Sequence, residues 1–332
     1  LLVLGVGCSS AATAVDDDPD GASPPAASTT KDAGASTPTP PPSTGDAGGT
    51  TDDGGSDAGY PLTYRNSLSV CWTEPACNRA FAVAHGGDWD LLKPNPPYLS
   101  NAALNAAYDH GADGIKIDGR ITSDGVVVLS HSSPIEYFES LDCAGKKIEE
   151  MTVADVQSCH RLASQETYQR LDDVLNAFRG KLVVQICVKR KEDTAGIAKA
   201  VLDLDAEDFA FLELNAADIP EVVPSIPNGD KLWYLAQVNQ PSDVDLLLST
   251  INSPRNFMYE FEPNDATVAT LATTKLHPAG IKTFTYNKTT TSVDQVKGFY
   301  TTGGFDVVST NSVGYMVDAR KAINTSRGVS PP

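Results

Sequence analysis

Past its first eight residues, this 332-residue chain has no apolar run approaching the roughly 18–20 residues of a membrane span. Basic residues are scarce, 25 Lys and Arg against 43 Asp and Glu, for a formal net charge of −18. An acidic chain without a basic stripe excludes nucleic acid as a partner on electrostatic grounds. No glycine-rich phosphate turn follows the first strand, because HGGDWD lacks that spacing. This argues against a dinucleotide-binding, doubly wound sheet, which is the second choice of architecture. Histidines number only five, and His110, His160 and His277 fall in helical or loop segments where they look incidental. That leaves His85 and His131, each at the end of a predicted strand.

What is present divides unevenly. LLVLGVGC (residues 1–8) reads as the end of a signal-peptide apolar region running into Cys8, the expected lipidation site. Residues 9–60 are almost entirely Ala, Ser, Thr, Pro, Gly and Asp, with nine aspartates against one lysine. Such a segment buries too little apolar surface to offset the cost of ordering its backbone, so a disordered tether is expected. Residues 61–325 carry no second low-complexity linker and form one expected domain, and 326–332 a flexible tail. Export, with a lipid anchor in the bacterial cell envelope or as a plainly secreted protein, is the expected localisation. Cysteine usage agrees. Cys71–Cys77 and Cys143–Cys159 are the simplest disulfides in an oxidising compartment, and Cys187, in the apolar strand LVVQICVK, reads as a buried free thiol.

From residue 80, short β-branched runs (AFAVAH, GIKIDGRI, VVVLSH, KLVVQICVK, DFAFLEL, KLWYLAQV, NFMYEFE, IKTFTYN, FDVVSTN) alternate with helical periodicity. The clearest helices are SNAALNAAYDHG, RLDDVLNAFRG, TAGIAKAVLDL, PSDVDLLLSTI, DATVATLATTKLHPAG and SVDQVKGFYTTG. Eight parallel strands are counted if VVVLSH is a hairpin excursion. The expected architecture is a (β/α)₈ TIM barrel, with its site at the strand C-terminal ends.

The block from His85 to His131 resembles the glycerophosphodiester phosphodiesterase family, one of the phospholipase-C-like barrels. Its His-Arg-Gly strand end reads His85-Gly86-Gly87 here, and its Pro-Glu-Asn-Thr turn reads Pro97-Tyr98-Leu99-Ser100. The Glu-x-Asp motif becomes Lys116-Ile117-Asp118, and the His-Asp strand end becomes His131-Ser132. Further on, EEMTVADVQS and RLDDVLNAF are similar to family helices. Cys187-Val188-Lys189 stands at the family's Glu-x-Lys, while TFTYN and FDVVSTN match its last strand ends loosely. The resemblance covers about residues 80–315.

Carried over by position, the resemblance puts the catalytic histidines on His85 and His131 and one of three metal-ligating carboxylates on Asp118. The other two ligand positions hold Lys116 and Cys187. Phosphodiester cleavage needs a base, an acid and positive charge against the phosphoryl oxygens. Two imidazoles suit the proton work. Lys116 shares strand parity with Asp118, so both face the same way, and an ammonium there disfavours a divalent cation. The expected substrate-binding residues are Lys116, Asp118 and Lys189. No cofactor is expected; calcium or magnesium enters only if Glu213, Glu260 and Glu262 rebuild a site with Asp118. Trp89, Tyr98, Phe284 and Tyr286 are candidate rim aromatics. Two functions stay open: a phosphodiesterase acting without metal on a glycerophosphodiester or (lyso)phospholipid, and an inactive barrel binding a surface ligand. They differ in geometry. The first needs the histidines across a phosphate-sized space, and in the second Lys116 closes that space onto Asp118.

Overall fold

Strand pairing closes the sheet on itself in the computed structural model, which describes residues 67–72, 74, 76–89, 96–250, 257–261, 268–288 and 290–329. The parallel strands are β1 (Phe81–His85), β2 (Gly114–Ile121), β4 (Val183–Val188), β5 (Ala210–Asn215), β6 (Trp233–Gln237), β7 (Phe257–Phe261), β8 (Thr283–Asn287) and β9 (Val307–Thr310). β1 pairs with both β2 and β9, which excludes the open sheet and makes a (β/α)₈ barrel. The ninth strand, β3 (Val127–Leu129), runs antiparallel to β2 as the expected excursion. Cys8, the 9–60 segment, Glu262 and residues 330–332 lie outside the described residues.

Local chemistry sets the helix boundaries. Ser100 caps α1 (Asn101–Asp109) by accepting from the Ala103 amide at 3.0 Å. Its first amides also donate to Glu166, which places a carboxylate at the positive end of the helix dipole. Thr152 and Asp155 form a reciprocal capping box on α2 (Val153–Gln157). The amphipathic α3 (Leu171–Phe178) buries Leu171, Val174, Leu175 and Phe178. Next come α4 (Thr194–Asp203), the short α5 (Ile219–Val222) and α6 (Pro241–Thr250). The segment expected as one helix near 265–280 is broken. α7 (Val268–Leu271) widens into a π turn over Ala272–Leu276 and a 3₁₀ turn over His277–Ala279. Thr273 and Thr274 hydroxyls compete for the preceding carbonyls, and Pro278 supplies no N–H to continue the ladder. Beyond α8 (Val293–Thr301), α9 (Val313–Ser326) is a helix the periodicity reading did not single out. Its backbone pattern continues through Arg327 to Val329, past the expected domain end at 325.

Inward-facing residues at the strand N-terminal ends form a core inside the barrel: Phe81, Val83, Val183, Phe211, Leu235, Met258, Phe284 and Val307. A single turn, Leu68–Trp72, stoppers this end. Trp72 is fully buried, with ring centroids 4.7 Å from Phe81, 5.5 Å from Phe284 and 5.8 Å from Phe211. Phe284 therefore belongs to the barrel floor and is not a rim aromatic. The Cys71–Cys77 disulfide pins the stopper, with its Cα atoms 5.4 Å apart. The excursion after β3 has its own small core of Val128, Ile135, Ile148, Met151, Val156 and Tyr168 around the Cys143–Cys159 disulfide. Both expected disulfides are present, as in proteins of oxidising compartments. Cys187 is not a free thiol, however. It is disulfide-bonded.

Candidate active site

The barrel register brings the sequence-predicted residues to one level at the strand C-terminal ends. His85 on β1 lies opposite Lys116 on β2, and Asp118 lies opposite Cys187 on β4. Residues paired across a sheet point to the same face, so His85, Lys116, Asp118 and Lys189 all face the barrel mouth. Lys116 Nζ donates to Asp118 Oδ1 at 2.7 Å, and Lys189 Nζ approaches the same oxygen at 3.1 Å. The other carboxylate oxygen accepts from the Tyr98 hydroxyl at 2.5 Å. Lys116 Nζ also stands 3.3 Å from His85 Nε2.

The glycine after His85 explains how Tyr98 reaches that position. Gly86 has φ +71, and a Cβ there would lie 1.7 Å from Tyr98 Cε2. The tyrosine ring takes the space an arginine side chain would need, and the positive φ disfavours any residue with a Cβ. Leu99, at the Asn of the resembled turn, adopts φ +56. Tyr98 is therefore not on the rim. Its ring contacts both imidazoles, with centroids 5.7 Å from His85 and 5.9 Å from His131. Tyr286 stacks on His85 at 4.3 Å, and Trp89 Nε1 donates to the His85 carbonyl at 2.8 Å.

His131 stands on a turn braced from behind. Its amide and that of Ser132 donate to the buried Glu139 carboxylate at 2.8 and 2.9 Å, with the Ser130 and Ser132 hydroxyls adding to it. Arg161 lies 3.6 Å from Glu139 and donates to the Leu129 carbonyl, while Arg120 donates to the His131 carbonyl at 2.9 Å. Sequence reading missed Glu139 because nothing marks a carboxylate eight residues past the histidine. Asn311, which holds His85 Nδ1 at 2.9 Å, was equally missed, although its place at the end of β9 beside β1 was a usable signal.

Electrostatics follow from burial and these contacts. Burial disfavours the Asp118 carboxylate, but Lys116 and Lys189 outweigh it and hold its pKa well below the usual range. Burial also works against Lys116, yet Asp118, with Glu213 and Glu260 behind it, leaves this ammonium above its ordinary pKa. Lys189 goes the other way: burial and its neighbour Lys116 outweigh Asp118 and lower it. Desolvation followed by Lys116 pulls His85 well below its usual value, and desolvation followed by Lys189 takes His131 to about 3. Tyr98 is pushed well up by burial and then Asp118, so it stays a hydrogen-bond donor.

The residues do not fit the divalent cation that the fold family implies. Both Asp118 oxygens accept from the protein, an ammonium fills one ligand position, and the disulfide-bonded Cys187 fills another. Hard cations take several oxygen ligands, and no group of three potential ligands exists among the described residues. Glu213 and Glu260 are buried on β5 and β7, where Glu213 accepts from Gln185 at 2.7 Å.

A barrel whose mouth carries two histidines and an anion-facing lysine pair defines a class, and comparison with known proteins gives the family. The glycerophosphoryl diester phosphodiesterase family profile matches residues 98–314. The chain belongs to that family. It is 26% identical over 190 residues to glycerophosphodiester phosphodiesterase 1 of Mus musculus and 25% identical to that of Rattus norvegicus. Each match covers 54% of this chain and 54% of the relative, so the chain spans about half the length of the curated relatives it matches. Solved structures agree on the fold. A Parabacteroides distasonis glycerophosphoryl diester phosphodiesterase superposes with TM-score 0.62 at 16% identity, covering 75% of this chain and 88% of that one. A Silicibacter pomeroyi counterpart gives 0.60 at 15% identity, covering 81% and 99%.

Proposed function

We propose that this protein is a phosphodiesterase that hydrolyses a glycerophosphodiester or (lyso)phospholipid by His85/His131 acid–base catalysis, with lysine charge in place of a divalent cation. The observation that carries the reading is the convergence of two ammonium groups on one oxygen of Asp118 beside His85. A phosphodiester anion entering the mouth offers oxygens to Lys116 and Lys189, which supply the charge stabilisation the reaction needs. Lys116 is closed onto Asp118 at 2.7 Å, which is the geometry expected of the inactive barrel. In the proposed enzyme that pair is the resting arrangement, and the incoming anion competes with Asp118 for the ammonium.

In the step itself, a water oxygen bonds to phosphorus as one imidazole takes its proton. The scissile P–O bond breaks with its electron pair going to the leaving oxygen, which accepts a proton from the other imidazole. Both histidines rest neutral because burial and the lysines oppose their protonation. A bound anion offsets the lysine charge and lifts both values. The imidazole serving as acid therefore takes up a proton from solvent before the step and is neutral after it, while the base ends as imidazolium and releases the water proton to solvent. A phosphodiesterase of this fold from Oleispira antarctica is known in complex with its product sn-glycerol 3-phosphate, which supports a glycerophosphate-containing substrate. We also propose that the protein is exported, as its disulfides suggest.

The test is hydrolysis of glycerophosphocholine and lysophosphatidylcholine by the purified protein. Turnover is expected, and His85→Ala and His131→Ala should each reduce it at least a hundredfold, within the range of general acid–base contributions. Unchanged activity in either variant would refute the assignment. No turnover across a broad diester panel, together with measurable binding, would point to the inactive barrel.

A further inference from the structure

His85 Nδ1 lies 2.9 Å from Asn311 Oδ1, and its Nε2 lies 3.3 Å from Lys116 Nζ. An ammonium can only donate, so Nε2 must present its lone pair to Lys116. The ring proton then resides on Nδ1, where the carboxamide oxygen of Asn311 accepts it. The two contacts, from opposite sides of the ring, require the same tautomer. The register makes this a built feature: Ala84 pairs with Thr310, so the next residues along, His85 and Asn311, meet at the same level.

Resting on the proposed reaction, we infer that Asn311 is a positioning residue that fixes His85 as the Nδ1–H tautomer and leaves Nε2 as the proton acceptor of the pair. Lys116 covers that lone pair until an anion draws the ammonium away. Asn311 does this without charge. An aspartate in its place would hold the same proton but favour the imidazolium, which cannot accept another. Around His85 the charged and titratable groups are Lys116 and Asp118 from β2, Lys189 just after β4, His131 after β3, Tyr98 before α1 and Tyr286 from β8. Among these only Asp118 favours protonation, and Lys116 stands next to it.

Imidazole ¹⁵N–¹H correlation spectra of the full chain, with His85→Gln used to assign the signal, read the tautomer without needing turnover. The expected result is protonated Nδ1 and bare Nε2. A dominant Nε2–H form would overturn the inference whether or not the protein is active, so its failure is separable from that of the phosphodiesterase reading. Two variants test the role. Asn311→Asp should move the acid limb of the pH–rate profile, and the His85 NMR titration, upward by about one unit or more. Asn311→Leu should lower kcat roughly tenfold or more with KM little changed and the acid limb unmoved. If Asn311→Asp leaves the His85 titration where it was, Asn311 is only a packing residue and the inference fails.

Discussion

Acid should destabilise this protein well above the carboxylate range, and His131 allows the size to be worked out. Its pKa falls to about 3 because of burial, followed by Lys189, with Asp118 opposing only partly. Its buried Nδ1 has no hydrogen-bond partner among the described residues. In the unfolded chain the same imidazole titrates near 6.5. Below that pH the unfolded state takes up a proton the native state refuses, so native stability falls as pH drops from 6.5 toward 3. One pKa unit is about 1.4 kcal/mol, so His131 alone should cost about 2 kcal/mol at pH 5 relative to pH 7 and about 4 kcal/mol by pH 3. His85 acts in the same direction. The assay is urea unfolding at pH 7 and pH 5 for the parent and for His131→Asn. The variant should lose about 2 kcal/mol less stability over that interval, whatever its stability at pH 7. Equal losses in the two proteins, or an NMR titration of His131 near 6.5, would refute this account of the site's electrostatics.

Other consequences follow from the same contacts. Glu139→Ala strands Arg161 in the interior and frees the His131 turn; a loss of about 3–5 kcal/mol is expected in denaturant unfolding, because one partner of a buried pair is removed. Gly86→Ala should destabilise strongly through its φ of +71 and the overlap with Tyr98. The penalty should shrink in a Tyr98→Gly background, a non-additivity read from a double-mutant cycle. Trp72→Ala empties the barrel floor and should cost about 3–5 kcal/mol by thermal or urea unfolding, with glycerophosphocholine kinetics little changed in the protein that remains folded.

Much of the architecture was legible because it depends on local periodicity. Alternating β-branched runs and helical stretches implied parallel strands with crossovers, and the strand-end position and spacing of His85, Asp118 and His131 put them at one mouth. Strand parity correctly turned Lys116 and Asp118 to the same side. What escaped were features set by tertiary contact. The Trp72 stopper is a short turn with no periodicity of its own. α9 carries polar and apolar residues in a pattern too mixed to stand out. Tyr98 read as a rim aromatic because nothing in the sequence says that Gly86 leaves it the room to turn inward. Phe284 was misplaced for a related reason: which end of a strand an aromatic serves depends on where the strand begins. Cys187 read as a buried thiol from its apolar strand, and a disulfide partner cannot be inferred from hydrophobicity. Glu139 and Asn311 brace the histidines from segments distant in sequence, and only the closed barrel brings them there.

In the proposed mechanism, lysine charge stands where the family's cation would. This is tested most directly by glycerophosphocholine turnover in the parent protein before and after exhaustive treatment with a divalent-metal chelator, with Lys116→Met measured alongside. The same kcat/KM is expected with and without chelator, with a fall of at least a hundredfold in Lys116→Met, in line with the loss of one transition-state charge contact. Activity that disappears with chelator and returns with calcium or magnesium would contradict the proposed mechanism.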